Sequence, residues 1–298
     1  MPAASPKRLV LGTVQLGMDY GVANATGRPD AATALEIVRE AWQGGVREFD
    51  TAQGYGESEA VLGGIFAELG IAEEARVATK PDKSLDYGDL EALAEAVLNS
   101  ARRMGVPRLQ TVLLHSETFL DAWDLGLSGR FSALRDQGLL ERTGISVYSP
   151  QAALRALATD GLDAVQIPCN ALDRRFERAG VFREAEERGK TLYVRSVYLQ
   201  GLLLMNPDQL PGRVAHAKNV VARFQALAQR LGLSPAGLAL AYVREAHAGV
   251  RVLFGAETPA QVRENLALWA TTSPQGLVEE VRAVFDDVSE TILNPAQW

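Results

Sequence analysis

The stretch REFDTAQGYGESEAVLGGIFAEL, residues 47 to 69, reads as one complete βα unit. Residues 47 to 51 form a short strand, residues 58 to 69 carry the apolar spacing of a helix, and a turn with Gly54 and Gly56 lies between them. The turn also holds Asp50 and Tyr55, two groups that a simple chain reversal does not need. Outward from this unit the same alternation recurs. Strands are expected at 8 to 13, 47 to 51, 76 to 80, 111 to 115, 143 to 148, 164 to 168, 191 to 197 and 250 to 255, with helix-period segments between them. Several of those segments end in glycine, at Gly105, Gly138, Gly189 and Gly232, where a left-handed residue closes a helix.

Eight such units joined by right-handed crossovers close into an α/β fold, a (β/α)8 or TIM barrel. Two further helices are expected near the C-terminus, at 234 to 246 before the eighth strand and at 277 to 288 after the eighth helix. No linker rich in glycine, serine or proline divides the chain, so residues 1 to 298 are read as a single domain. The longest irregular stretch, 198 to 218 after the seventh strand, is either a functional loop or an insertion over the barrel top.

Composition narrows the partners. With 47% hydrophobic and 22% charged residues the chain reads as globular, and no transmembrane run is visible. The net charge of −7 has no basic block, which argues against nucleic acid or an anionic membrane and for a small molecule. The N-terminus lacks a secretory signal and Cys169 is the single cysteine, so a reducing cytoplasm is expected. Nothing in the composition sets an oligomeric state, and no metal is called for.

The active site of such a barrel lies at the carboxyl ends of its strands. Asp50 closes strand two, Lys80 closes strand three and His115 closes strand four, with Tyr55 on the loop after strand two. Neighbouring strands run about 4.8 Å apart, so these groups can converge. Singly, each has a plainer reading: a structural histidine, a solvated lysine, an Asp-Thr pair ending a strand. Jointly they describe proton delivery. A tyrosine phenol, with a pKa near 10 in model peptides, needs a cation beside its oxygen to donate a proton to a weakly basic carbonyl. Lys80 can be that cation, Asp50 can hold it charged, and His115 can hydrogen-bond the carbonyl oxygen.

With these residues the sequence resembles the aldo-keto reductases from strand one to helix eight, and FGAETPAQVRENL, residues 254 to 266, resembles the branch that includes the potassium-channel β subunits. The resemblance implies a catalytic tetrad of Asp50, Tyr55, Lys80 and His115, and hydride transfer between NAD(H) or NADP(H) and a carbonyl or alcohol. It places the nicotinamide ribose near Gly12, Thr13 and Asp50. The carboxamide falls at Ser146 and Gln166, with Asn170 at the mouth. The loop after strand seven contributes Arg195, Ser196 and Gly201. Gly255 and Ala256 approach the phosphate, and Glu257, Gln261, Glu264 and Asn265 meet the adenosine half. Thr258 and Pro259 at the same time make an ordinary helix start.

Three departures from the family pattern stand out. Val147 follows Ser146 where an asparagine is usual, Arg195 stands where an aromatic ring usually stacks, and Glu257 replaces a basic or small hydroxyl residue. Arg195 is read as a stacking plane or as a hook for an acidic substrate group. Glu257 disfavours the 2′-phosphate of NADP, with Arg263 one turn on as a compensating charge, so the reading leans to NAD(H). Ser116 and Glu117 after His115 suggest a polar wall and a sugar or sugar derivative as substrate. Two other classes compete: a nucleotide-binding regulatory subunit with vestigial activity, and a lyase or aldolase barrel with a Schiff base on Lys80.

Overall fold

Eight short strands, buried on nearly every residue, form the centre of the computed structural model, which describes residues 6–85 and 89–298. They are β1 (Leu9–Gly12), β2 (Glu48–Asp50), β3 (Arg76–Thr79), β4 (Leu109–Leu114), β5 (Leu140–Ser146), β6 (Ala164–Pro168), β7 (Thr191–Arg195) and β8 (Arg251–Gly255). Each pairs in parallel with the next, and β8 returns to β1 with Gly12 opposite Gly255, which closes the barrel. Strands covered on both faces need apolar side chains on both, and the separate core clusters show this. Val10, Leu113, Ala164, Tyr193 and Leu253 form one cluster, while Leu9, Leu11, Val112 and Val165, their chain neighbours, join the larger core with the helices. That alternation is the strand period of two. The bore is tight: a Cβ at Gly144 would stand 2.4 Å from Ala164 O.

The helices start and stop where their sequences dictate. Asp30, Ser149, Ser234 and Thr258 each accept a first-turn backbone N–H, and the last three precede a proline at the first helical positions. Gly105, Gly138, Gly189 and Gly232 all take positive φ, between 64° and 75°, at helix ends.

Two differences from the sequence reading are physical. β4 and β5 begin earlier than expected, at Leu109 and Leu140, because these residues pair with each other and extend the ladder through the polar Glu141 and Arg142. Of the two helices before β8, Pro235–Ala246, read as an addition, is the more deeply buried, from Gly237 through Arg244, whereas Lys218–Arg230 buries one face only. The stretch from 198 to 218 is a run of turns and short 3-10 helices at Leu202–Leu204, Pro207–Gln209 and Gly212–Ala217. Trp123 and Trp269 are core residues. Among the described residues no helix is long and apolar enough to cross a membrane.

Candidate active site

Barrel closure brings the ends of β2 and β3 side by side, and there Lys80 meets Asp50. Lys80 Nζ donates to Asp50 Oδ1 at 2.8 Å, to Asp50 Oδ2 at 3.0 Å and to Thr51 O at 2.9 Å, and it also hydrogen-bonds Tyr55. The pair is almost wholly buried. Burial alone would lower the Lys80 pKa, but the Asp50 carboxylate and Tyr55 together outweigh it, and the pKa is raised. Lys80 is therefore a fixed cation.

From the far side of the barrel Gln166 Nε2 donates to Asp50 Oδ2 at 2.8 Å, and Ser146 Oγ donates to Gln166 Oε1 at 3.2 Å. A chain of hydrogen bonds thus crosses the mouth from β5 through β6 and β2 to β3. Ser146 and Gln166 do not line the cavity described below; Gln166 is turned to Asp50 and Ser146 to Gln166.

Tyr55 sits over this network, with Lys80 Nζ 5.1 Å from its ring centroid. His115 meets the Tyr55 ring edge-on, at 6.3 Å between centroids and 82° between planes. Burial, followed by the charge of Lys80, lowers the His115 pKa from 6.5 to about 4, so the imidazole is neutral near pH 7. Its Nδ1 is buried without a hydrogen-bond partner.

The glycines of the Tyr55 turn lock the loop in place. Gly56 has φ of 56°, and a Cβ there would lie 2.5 Å from Gly17 O; a Cβ on Gly17 would lie 1.9 Å from Tyr55 O. Two backbones touch at this point, and only paired glycines permit it. Gly54 has no comparable neighbour, its nearest being Asp82 Oδ2 at 3.8 Å. Backbone bonds from Tyr55 N to Ala52 O and from Ser58 N to Tyr55 O complete the fixture.

Beside Tyr55 opens a cavity of about 460 Å³. Gly12, Thr13 and Asp50 line it at the ends of β1 and β2, and Arg195, Ser196 and Gly201 after β7. Gly255, Ala256 and Glu257 line it after β8, and Gln261, Glu264 and Asn265 on the helix Pro259–Ala270. Lys80 and His115 are not among the lining residues; Lys80 is buried and His115 partly exposed. Asn170 is buried and donates to Ser196 O at 3.2 Å, so it braces the β7 loop and does not stand at the mouth.

That loop is strained. Ser196, Leu199 and Gln200 have φ of 64°, 50° and 55°, values that non-glycine residues seldom adopt. Besides Asn170, the loop is held by Val22 N donating to Gln200 O at 3.1 Å and by Tyr198 OH donating to Asn265 Oδ1. Gln15, Tyr20, Tyr198, Gln200 and Ser234 also line the cavity, although no motif marks them. Only Ser234, before Pro235, carries a readable signal, that of a second helix N-terminus facing the space.

Several expected charges have other partners. Arg263 is paired with Glu40 at 2.5 Å, away from Glu257. Glu117 accepts from Ser149 N at 2.8 Å and also from Tyr148 N, while Ser116 Oγ bonds Thr118 Oγ1 at 2.8 Å, so neither forms a free polar wall. Among the described residues no cluster of histidine, cysteine and carboxylate side chains is arranged for a metal ion.

The sequence and the fold have counterparts among known proteins. The chain is 25% identical to an NADH-specific methylglyoxal reductase of Escherichia coli, with 87% of this chain and 89% of that protein covered. It is 23% identical to a D-threo-aldose 1-dehydrogenase of a Pseudomonas species, with 94% and 97% covered. Among solved structures, a glycerol dehydrogenase of Gluconobacter oxydans shares the fold with a TM-score of 0.74 at 22% identity, covering 95% of this chain and 94% of that one. An aldo-keto reductase of Bacillus halodurans, in its holo form, does so at 0.75 and 23%, covering 96% and 95%. The model of the aldo/keto reductase family matches residues 8–286, and the chain belongs to that family of oxidoreductases.

Proposed function

We propose that the protein is an NAD(P)(H)-dependent oxidoreductase that interconverts a carbonyl and a hydroxyl group on a small polar molecule, with Tyr55 as general acid and base. The observation that carries this reading is the buried Lys80, held charged by Asp50 directly beneath Tyr55 at the edge of the cavity. In the reducing direction the Tyr55 hydroxyl gives its proton to the carbonyl oxygen, and Lys80 stabilises the phenolate left behind. Asp50, with its second oxygen capped by Gln166, keeps Lys80 protonated and fixed. His115, a neutral imidazole, donates a hydrogen bond to the same oxygen and orients the substrate. In the reverse direction the phenolate accepts the alcohol proton.

The cavity fits a nicotinamide dinucleotide, which supplies the hydride when bound. At the β1–β8 seam the end of the Gln15 side chain lies against Gly255, where a Cβ would stand 2.4 Å from Gln15 Nε2, and Gln15 Oε1 is buried without a partner, an acceptor open to a ligand donor. The helix start at Thr258 and Pro259, with Gly255 and Ala256 before it, offers backbone N–H groups to a phosphate. Gln261, Glu264 and Asn265 would hold the adenosine half. To hold a carboxamide, Gln166 would have to share its amide with Asp50, and Ser146 its hydroxyl with Gln166.

Half-buried Glu257 with Arg263 tied to Glu40 favours NAD(H) over NADP(H). The E. coli relative is NADH-specific by name, and the aldose and glycerol enzymes suggest a hydroxylated substrate. A Schiff base on Lys80 is disfavoured, because an ammonium with three acceptors is a poor nucleophile. The test is a fluorescence titration with NADH and NADPH, followed by turnover with small aldehydes and hydroxyaldehydes. Tighter NADH binding, with a preference that narrows in Glu257→Gln, supports the reading. Absence of binding by either nucleotide overturns it.

A further inference from the structure

Arg195 ends β7 and lines the cavity together with Asp50 and Tyr55. Its guanidinium lies 4.4 Å from the centroid of the Tyr148 ring, and Nη1 donates to Ser196 Oγ at 3.4 Å. Nη2 is buried with no hydrogen-bond partner, and among the described residues no carboxylate forms an ion pair with the group. Lys80, the other cation here, is fully neutralised by Asp50. Arg195 has no such partner, and its charge reaches the reacting region, where it adds to Lys80 and Lys83 in depressing the His115 pKa and acts on the Tyr20 phenol.

A dry guanidinium nitrogen without an acceptor costs free energy that a ligand anion recovers. The planar fork of arginine matches a carboxylate. Use as a stacking plane for the cofactor fits less well, because an oxidised nicotinamide is itself positive and the guanidinium would repel it.

We propose that Arg195 is a specificity-determining residue that binds a carboxylate carried by the substrate, so that the protein acts on aldehyde acids or keto acids and the corresponding hydroxy acids in preference to uncharged carbonyl compounds. The inference rests on the oxidoreductase reading above and narrows its substrate class.

The test compares glyoxylate, succinate semialdehyde and 4-carboxybenzaldehyde, each against its methyl ester, at saturating nucleotide. The readout is the ratio of kcat/KM for acid over ester, in which changes common to both cancel. For at least one pair the ratio is expected to be about 10- to 100-fold in the wild type, the range of a charge-assisted hydrogen bond. It should fall to near unity in Arg195→Met, mainly through KM of the acid, and recover in part in Arg195→Lys, which keeps the charge without the fork. Turnover of the esters as fast as the acids in all three pairs overturns the inference and leaves the oxidoreductase reading standing. A ratio unchanged in Arg195→Met, with weaker NADH binding, assigns Arg195 to the nucleotide and also overturns it. Absence of turnover for all six compounds with either nucleotide, where nucleotide binding is also absent, removes the oxidoreductase reading and this inference with it; absence of turnover with intact binding removes the inference alone.

Discussion

The Asp50 network and the wall formed after β7, β8 and β1 both border the barrel mouth, and they are completed to different degrees. In the first, Lys80 bonds Asp50, Thr51 and Tyr55, Gln166 caps Asp50, and Ser146 caps Gln166. In the second, Arg195 Nη2 and Gln15 Oε1 are buried without partners, and three non-glycine residues are held in left-handed conformations. A self-satisfied network is rigid before any ligand arrives, whereas unpaired atoms are completed by what binds. The first region reads as machinery and the second as a receptor.

The comparison breaks most readily at Lys80. Lys80→Met leaves Asp50 buried without its cation and should lower stability by about 3–5 kcal/mol, the usual cost of breaking a buried pair; urea unfolding measures it. Loss below about 1 kcal/mol would mean that water already reaches the pair. Next comes the contact that fixes Tyr55. Gly17→Ala puts a Cβ 1.9 Å from Tyr55 O and should cost about 1–3 kcal/mol and reduce turnover by displacing the phenol, whereas Gly54→Ala, with open space around it, should do neither.

Acid sharpens the comparison further. His115 and His247 are both lowered from 6.5 to about 4, chiefly by burial. A histidine that binds its proton less well folded than unfolded stabilises the fold fully above about pH 6.5, and that contribution is lost as pH falls toward 4. For His247, buried and stacked 3.6 Å from Phe182, the loss by about pH 5 should be about 1–2 kcal/mol. His247→Gln should flatten this part of a Tm-against-pH curve. An unchanged curve would assign the acid limb elsewhere. The smallest effect belongs to the receptor side and has the opposite sign: Arg195→Met removes a cation whose buried Nη2 has no acceptor, and stability should rise by about 1 kcal/mol, in contrast to Lys80→Met.

The barrel and the strand-end positions of Asp50, Lys80 and His115 were legible because hydrophobic period and strand ends are local properties of the chain. Partnerships were less so. The FGAETPAQVRENL segment shows a helix start and a ligand-facing turn, yet it does not show that Arg263 leans away to Glu40 on another helix. Gln166 and Ser146 read as ligand groups through the family resemblance, but only closure of the barrel brings Gln166 to Asp50. Gly54 and Gly56 read only as turn residues; the contact of Gly56 with Gly17, 39 positions away in the chain, makes that pair a clamp. Gln15, Tyr20 and Gln200 were silent because a cavity wall made of loop residues has no period.

The most direct test of the central claim, that the Asp50–Lys80 network serves proton transfer by Tyr55, is turnover and nucleotide binding measured together for Tyr55→Phe. The account predicts a fall in kcat of about 10²- to 10⁴-fold, the scale of lost general acid–base catalysis, with the nucleotide Kd within about twofold of wild type because the ring and its packing remain. Turnover close to wild type would contradict it, since a phenylalanine has no proton to give.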